Sequence, residues 1–270
     1  METIAIDGGT LAYAEDGAGN AVVLIHGFLL DHSIWDGIAP RLATRAHVLR
    51  PDLRGLGRSS VTPGPYLIEA LAADVAALLD AKDIETAAIV GHSLGGYVAL
   101  SFFRMYRERV AALGLVGSRF SPDTEEAARD RFALADRAER DGIVPVVDAF
   151  LPRFFAPHVY RGQPQLVADT RRLCERTNPL GAAALLRGAA VRLDSHDLIE
   201  DIDVPFLFSI GDVDAIMGLT EAQTLMPRIR RARLQVLRDC GHMPMLEAAD
   251  QVADAVEELL ESAGKSPAGS

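Results

Sequence analysis

Residues 87–97 read Ala-Ala-Ile-Val-Gly-His-Ser-Leu-Gly-Gly-Tyr, and this stretch decides the fold. The first four residues form an apolar run typical of a buried strand, and residues 97–103 can continue as a helix. Between them, Gly91, Ser93 and Gly95 form the pattern G-x-S-x-G. A serine on such a strand–turn–helix junction holds its hydroxyl out of the fold, at the positive end of the helix. Side chains at the two glycine positions would collide with the neighbouring strand and helix. The pattern therefore predicts that Ser93 is a nucleophile.

A nucleophilic serine needs a base and an acid, and both are expected to follow strands further along the chain. The strand-like run 206–210 leads into Gly-Asp-Val-Asp at 211–214, and the run 234–237 leads to His242. Because open α/β sheets place their sites beyond the carboxyl ends of the strands, these residues can meet Ser93. We predict that His242 is the general base and that Asp214 orients its imidazole.

Two backbone N–H groups are expected to bind the negative charge that develops during an attack by Ser93. One belongs to Leu94, directly after the nucleophile, and the other to Phe28, in Ile25-His26-Gly27-Phe28 after an early strand-like run. The sequence thus predicts an oxyanion hole built from main-chain donors.

Five motifs together resemble the α/β-hydrolase superfamily, and they span nearly the whole chain. They are His26-Gly27-Phe28, residues 51–59 (Pro-Asp-Leu-Arg-Gly-Leu-Gly-Arg-Ser), residues 91–96, residues 211–214, and Gly241-His242-Met243-Pro244 with Glu247. Within the superfamily the chain is similar to small carboxylesterases, 3-oxoadipate enol-lactonases and pimeloyl-ester carboxylesterases. The family pattern G-x-x-D favours Asp214 over Asp212 as the acid, although the proline-containing segment that follows the acid in many relatives is missing here.

The order of the predicted elements indicates an α/β fold with a mainly parallel central sheet and helices on both faces. The alternation of strands and helices stops at about residue 120, and only helical patterns follow until about residue 196. This segment resembles the helical cap of the superfamily. The predicted divisions are core residues 1–119, a cap at 120–196, core residues 197–261 and a disordered tail at 262–270. A cap would cover the site, and the residues expected to line the pocket are Leu29, Phe150, Phe154, Met217 and Met243.

Other polar residues of the motifs are interpreted as structural. His26 and His92 are expected to form hydrogen bonds with the backbone of loops near the site, because no motif in the sequence pairs either of them with a carboxylate. Asp52 and Arg54 are expected to brace their loop by hydrogen bonds and charge pairing.

Composition excludes some classes of function. The chain has 270 residues and a formal net charge of −11, so a nucleic-acid partner, which needs a basic footprint, is not expected. No apolar run approaches the length of a membrane span, and the N-terminal residues lack the pattern of a signal peptide, so we expect no membrane association and a cytoplasmic location. Neither a metal nor an organic cofactor is expected, and the oligomeric state cannot be read from the sequence.

The expected function is hydrolysis of carboxylic esters of small apolar compounds through an acyl-enzyme. An enol-lactonase, a carbon–carbon bond hydrolase or a cofactor-free perhydrolase would use the same three side chains, although relatives of the last group often carry proline where this chain has Leu29. A small-ligand receptor on the same fold, with slow turnover, is the alternative from another class. The partner in each case is a small molecule, which is an ester for an esterase and a lactone for an enol-lactonase.

Overall fold

The structure is a computed structural model, and it describes residues 1–264. Eight strands form one sheet: β1 (Glu2–Ile6), β2 (Gly9–Gly17), β3 (Ala21–Ile25), β4 (His47–Pro51), β5 (Ala87–His92), β6 (Val110–Val116), β7 (Phe206–Gly211) and β8 (Ala232–Leu237). The order across the sheet is β1-β2-β4-β3-β5-β6-β7-β8, so β5 lies at the centre. The pairs β1–β2 and β2–β4 are antiparallel, and the strands from β4 to β8 are parallel.

This topology brings the carboxyl ends of β3, β5, β6, β7 and β8 to one edge of the sheet. The residues of β3 and β5 are all buried, as expected for parallel strands that are covered on both faces. Loops that follow these strands therefore meet at a single edge, and that edge carries the motif residues found in the sequence.

Helices cover both faces of the sheet and fill the connection between β6 and β7. Those of the core are α1 (Ala39–Leu42), α2 (Ile68–Ala81), α3 (Leu94–Met105), α9 (Leu219–Leu225), α10 (Pro244–Glu247) and α11 (Ala249–Ala263). The connection holds α4 (Glu125–Asp141), α5 (Val144–Phe150), α6 (Pro157–Gly162), α7 (Pro164–Glu175) and α8 (Pro179–Ala190). We call this connection, residues 117–205, the helical insertion; within it the structure describes helices and loops and no strand.

The helical insertion rests on the core through very close backbone contacts. A Cβ placed on Gly188 of α8 would lie 1.6 Å from the Tyr66 carbonyl oxygen, and one on Gly181 would lie 2.3 Å from that of Gly55. Only glycine permits such an approach at these two positions. On its other side α8 packs against α4, so the insertion has a small interior of its own.

Three local differences separate the structure from the sequence pattern. The sequence predicts one helix at about 33–44, but the structure has two short pieces there, a 3-10 turn at His32–Trp35 and α1, whose first turn contains Pro40. The short helices α6, α9 and α10 have too few turns to show a periodic pattern, so the sequence alone does not predict them. Helix α11 extends to Ala263, so it includes the first two residues of the tail expected to begin at Ser262; residues 265–270 of that tail lie outside the described residues.

Within residues 1–264, no helix combines the length and apolar character needed to cross a lipid bilayer.

Candidate active site

Ser93 occupies a strained turn between β5 and α3. Its φ and ψ angles are 52° and −116°, outside the regions that non-glycine residues usually adopt. A Cβ on Gly91 would lie 2.0 Å from the Gly95 carbonyl oxygen, and a Cβ on Gly95 would lie 2.4 Å from that of Ile25. The Ser93 N–H donates to the Val116 carbonyl over 3.0 Å. The two glycines and the neighbouring strand β6 therefore hold the turn in its strained form.

His242 and Asp214 continue a chain of hydrogen bonds that starts at Ser93. The distance from Ser93 Oγ to His242 Nε2 is 2.9 Å, and that from His242 Nδ1 to Asp214 Oδ2 is 2.8 Å. With the ring proton on Nδ1, that N–H donates to the carboxylate and Nε2 accepts from the hydroxyl. The side chains of His242 and Asp214 are 2% and 0% exposed, so both hydrogen bonds are shielded from water.

Asp214 keeps its position without the proline-containing segment of many relatives. Its Oδ1 accepts hydrogen bonds from the N–H groups of Ile216 (2.8 Å) and Met217 (2.9 Å), which leaves Oδ2 for His242. Asp212, the competing acid, has an exposed side chain. The geometry therefore brings Asp214 and not Asp212 to the imidazole.

The loop that carries His242 is tied to the helical insertion. The His242 N–H donates to the Phe154 carbonyl over 2.8 Å. The Glu247 carboxylate accepts from the N–H groups of Gly241 (3.1 Å), Met243 (3.2 Å) and Ala156 (2.9 Å). Glu247 thus joins the two segments, and this linking role was not expected from the motif.

Two N–H donors lie beside Ser93. Leu94 and Phe28 both line the same small cavity as Ser93. Within residues 1–264, neither the Leu94 N–H nor the Phe28 N–H donates to a protein acceptor. Leu94 is the first residue of α3, where N–H groups have no partner within the helix.

The two other histidines of the motifs, His26 and His92, form hydrogen bonds with backbone groups, as expected for residues with a structural role. His92 Nε2 donates to the His242 carbonyl over 2.8 Å, and burial together with the nearby His242 holds the pKa of His92 well below its usual value. His26 Nε2 accepts from the Leu53 N–H over 2.9 Å, and burial lowers its pKa as well. Both rings are therefore neutral at pH 7 and add no positive charge near Ser93.

The polar residues of the 51–59 loop brace that loop. Arg54 forms a two-point ion pair with Asp74, with distances of 2.9 and 2.6 Å. Asp52 accepts from the His32 ring over 2.7 Å and from the Arg58 N–H over 2.8 Å.

In the described part of the chain, Asp31, His32 and Asp52 form a group of possible metal ligands, with donor atoms within 4.8 Å of one another. Asp52 already accepts hydrogen bonds from His32 and Arg58, and these contacts within the loop explain why the three side chains lie close together.

The cavity at Ser93 has a volume of about 30 Å³, room for one or two water molecules. Of the five residues expected to line the pocket, Phe150, Phe154 and Met217 lie in its wall. Leu29 lies outside this lining; it has a φ of 64° and borders a separate cavity of about 440 Å³. Met243 also lies outside the lining, fully buried in the core at the start of α10.

The wall contains four side chains that sequence reasoning did not single out: Leu30, Tyr97, Arg131 and Ile216. Tyr97 lies one helical turn after Ser93 on α3, a spacing that places both on one helix face and could have identified it. Arg131 lies on α4 in the helical insertion, and no motif connects it to the site.

Comparisons with known proteins agree with this fold. A family model described as the alpha/beta hydrolase fold matches residues 20–249. The chain is 31% identical over 258 residues to a pimeloyl-[acyl-carrier protein] methyl ester esterase of Neisseria meningitidis, covering 92% of this chain and 79% of that protein.

Solved structures are similar over almost their full length. A thermophilic esterase from Thermogutta terrifontis has a TM-score of 0.93 and 35% identity, covering 97% of both chains. An enol-lactonase from Burkholderia xenovorans LB400 has a TM-score of 0.90 and 28% identity, covering 96% of this chain and 100% of that one. With the family match spanning most of its length, the chain belongs to the α/β-hydrolase superfamily.

Proposed function

We propose that the protein is a serine hydrolase that cleaves carboxylic esters through a covalent acyl-enzyme. The observation that carries the proposal is the continuous hydrogen-bonded chain from Asp214 through His242 to Ser93. A hydroxyl becomes a strong nucleophile only when a base removes its proton, and His242 Nε2 is within reach to do so.

In the first step Ser93 Oγ attacks the ester carbonyl carbon while its proton moves to His242 Nε2. The carbonyl oxygen becomes an oxyanion, which the free N–H groups of Phe28 and Leu94 stabilise. The imidazolium is stabilised by the Asp214 carboxylate, and it then gives its proton to the departing alkoxide, so that an alcohol leaves.

In the second step water releases the acid. His242 takes a proton from water, the hydroxide attacks the acyl carbon, and Ser93 departs with that proton. The enzyme returns to its starting state with one ester bond and one water molecule consumed.

Small esters suit the pocket best. Its wall contains the apolar side chains of Phe150, Phe154 and Met217 together with Ser93 and His242. A cavity of about 30 Å³ is smaller than an acyl chain, so the half-buried side chains Phe150 and Ile216 must move when a substrate binds. We assign the helical segment 120–196 the role of a cap, which excludes water from the acyl-enzyme and shapes this pocket.

A lactone is the second candidate substrate, because one relative of nearly equal length is named an enol-lactonase. The same attack on a cyclic ester gives an acyl-enzyme whose alcohol stays attached, and the second step is unchanged.

The proposal is tested by steady-state hydrolysis of p-nitrophenyl esters from acetate to decanoate. The Ser93→Ala variant is expected to lose at least about 10⁴-fold in kcat, since a lone triad deletion removes most of the catalysis. Ser101→Ala is the matched control, because Ser101 lies on the same helix α3 and, within residues 1–264, its hydroxyl donates to the Met105 sulfur alone. Equal activity in the wild type and Ser93→Ala would overturn the proposal.

A further inference from the structure

Tyr97 lies between the Ser93 cavity and a second cavity. It sits on α3 one turn after Ser93, and its side chain lines both spaces. Within residues 1–264, it is the one residue that the two linings have in common. The second cavity has a volume of about 10 Å³, and its wall continues along α3 through Leu100, Ser101 and Arg104. The Tyr97 ring is therefore the side chain that divides the two spaces.

The ring is held in place by a residue of the helical insertion. The guanidinium carbon of Arg192 lies 4.1 Å from the centre of the Tyr97 ring, within the range of a cation–π contact. Arg192 is itself fixed, because it donates to the carbonyls of Ala189 (3.0 Å) and Ser121 (2.9 Å) and pairs with the buried Asp123 carboxylate (2.8 Å). The insertion thus determines where the ring stands.

The hydroxyl end of the ring meets the loop that carries the acid. Tyr97 Oη lies 4.0 Å from the Met217 sulfur, a weak contact between two buried side chains. Met217 is fixed in turn, because its N–H donates to Asp214. At this point the Ser93 cavity is closed by two side chains that touch, so a smaller residue at position 97 would open it.

Beyond the ring there is apolar surface for a hydrocarbon chain. The wall of the second cavity contains four apolar side chains: Ile68, Leu100, Phe120 and Leu193. Leu193 is exposed, so this space opens towards the surface. The guanidinium groups of the same wall already pair with aspartates: Arg104 with Asp197, and both Arg119 and Arg192 with Asp123. A chain that passed the position of the ring would therefore contact apolar side chains.

We propose that the Tyr97 ring ends the pocket for the acyl chain and so sets the longest chain that the enzyme accepts. This inference rests on the proposed esterase function and names the residue that limits its substrate. The departing alkoxide faces His242, which gives it a proton, so the α3 side of the cavity is left to the acyl chain. A smaller residue at position 97 joins the two cavities, and each methylene that then leaves water improves kcat/KM by about fourfold.

The series of p-nitrophenyl esters from acetate to decanoate tests the proposal in the wild type and in Tyr97→Leu, Tyr97→Ala and Tyr97→Phe. The wild type is expected to have its highest kcat/KM with a short ester and a fall towards decanoate. In Tyr97→Leu and Tyr97→Ala the decanoate-to-butyrate ratio of kcat/KM rises by at least about tenfold, because the longer chain gains apolar contacts. Tyr97→Phe keeps the ring and is expected to keep the wild-type ratio.

A matched control and the ratio itself separate chain length from general damage. Tyr106→Ala removes a tyrosine ring at the end of the same helix that lines neither cavity, and it leaves the ratio unchanged. Because both esters are measured on one sample, a partly unfolded variant does not alter their ratio. An unchanged ratio in Tyr97→Leu overturns the proposal, and so does a wild-type kcat/KM that rises steadily up to decanoate.

A binding experiment distinguishes failure of this inference from failure of the proposed function. Isothermal titration of Ser93→Ala, and of Ser93→Ala combined with Tyr97→Leu, uses methyl butanoate and methyl octanoate and needs no turnover. A gain of at least about tenfold in the affinity for octanoate relative to butanoate in the double variant supports the inference even if no ester is hydrolysed. The same relative affinity in both proteins overturns it even if hydrolysis by the wild type is rapid.

Discussion

The cavity at Ser93 has two walls that are held in different ways. The sheet wall, formed by Phe28, Ser93 and Leu94, follows β3 and β5 and is fixed by backbone contacts. The insertion wall, formed by Arg131, Phe150 and Phe154, belongs to the helical insertion; Arg131 is held there by its ion pair with Asp123, and Phe154 by the hydrogen bond from the His242 N–H to its carbonyl. Phe28 and Phe150 meet across the two walls, with ring centres 5.3 Å apart. We propose that the sheet wall carries out the chemistry and that the insertion wall selects the substrate.

Rigidity explains this division. In the sheet wall a single extra methyl group at Gly91 or Gly95 would strike a carbonyl oxygen, so the nucleophile has one available position. In the insertion wall Phe150 is only half buried, and its ring can change rotamer. Chemistry tolerates little displacement of the reacting atoms, whereas recognition of different acyl groups benefits from adaptable side chains.

The largest effect short of removing Ser93 is expected for Asp214→Asn. The amide cannot stabilise the imidazolium and favours the wrong ring tautomer, so kcat falls by about 10⁴-fold while KM changes little. Steady-state hydrolysis of p-nitrophenyl butyrate measures this fall in kcat. Asp212→Asn is the control, since this exposed side chain lies two residues away, and it is expected to keep full activity. Equal losses in both variants would mean that the assignment of the acid is wrong.

An intermediate effect is expected for Glu247→Ala, which cuts the connection between the His242 loop and the insertion wall. Three N–H groups lose their acceptor, so the free energy of unfolding falls by about 3 kcal/mol and kcat by about tenfold as His242 loosens. Chemical denaturation and steady-state kinetics measure the two changes.

Glu258→Ala removes an exposed carboxylate of α11 and serves as control, with a change within about 0.5 kcal/mol. A Glu247→Ala variant as stable as this control would show that the two walls are held independently.

The smallest effect is expected for Phe150→Ala, on the insertion wall alone. Loss of the ring raises KM for p-nitrophenyl octanoate by about tenfold because the acyl chain buries less apolar surface, and kcat changes by less than about threefold. Phe132→Ala, an exposed position on α4 that is 39% accessible, is the control. A large fall in kcat with unchanged KM would contradict the division between the walls.

The sequence predicted the sheet wall because its residues lie in short, local patterns. Ser93 and its glycines form one motif, and Phe28, Asp214 and His242 each follow a recognisable strand. Parallel strands bring such loops to one edge, so local patterns are enough to assemble the three side chains.

The insertion wall was predicted only in part. Phe150 and Phe154 came from an apolar helical pattern, whereas Leu29 and Met243, which are next to motif residues in the sequence, lie outside this cavity. Arg131 could not be found, because its position depends on how α4 packs against α8 and on a buried carboxylate at Asp123. Contacts between helices of an insertion leave no fixed spacing in a sequence.

The most direct test of the account is stoichiometric labelling with diethyl p-nitrophenyl phosphate, which phosphorylates an activated serine and releases p-nitrophenolate. Mass spectrometry of the digested protein identifies the modified residue while ester hydrolysis is followed in parallel. The account predicts one equivalent of p-nitrophenolate, a single adduct on Ser93 and loss of activity in proportion to labelling. An adduct on another residue that removes activity, or full activity after complete modification of Ser93, would contradict it.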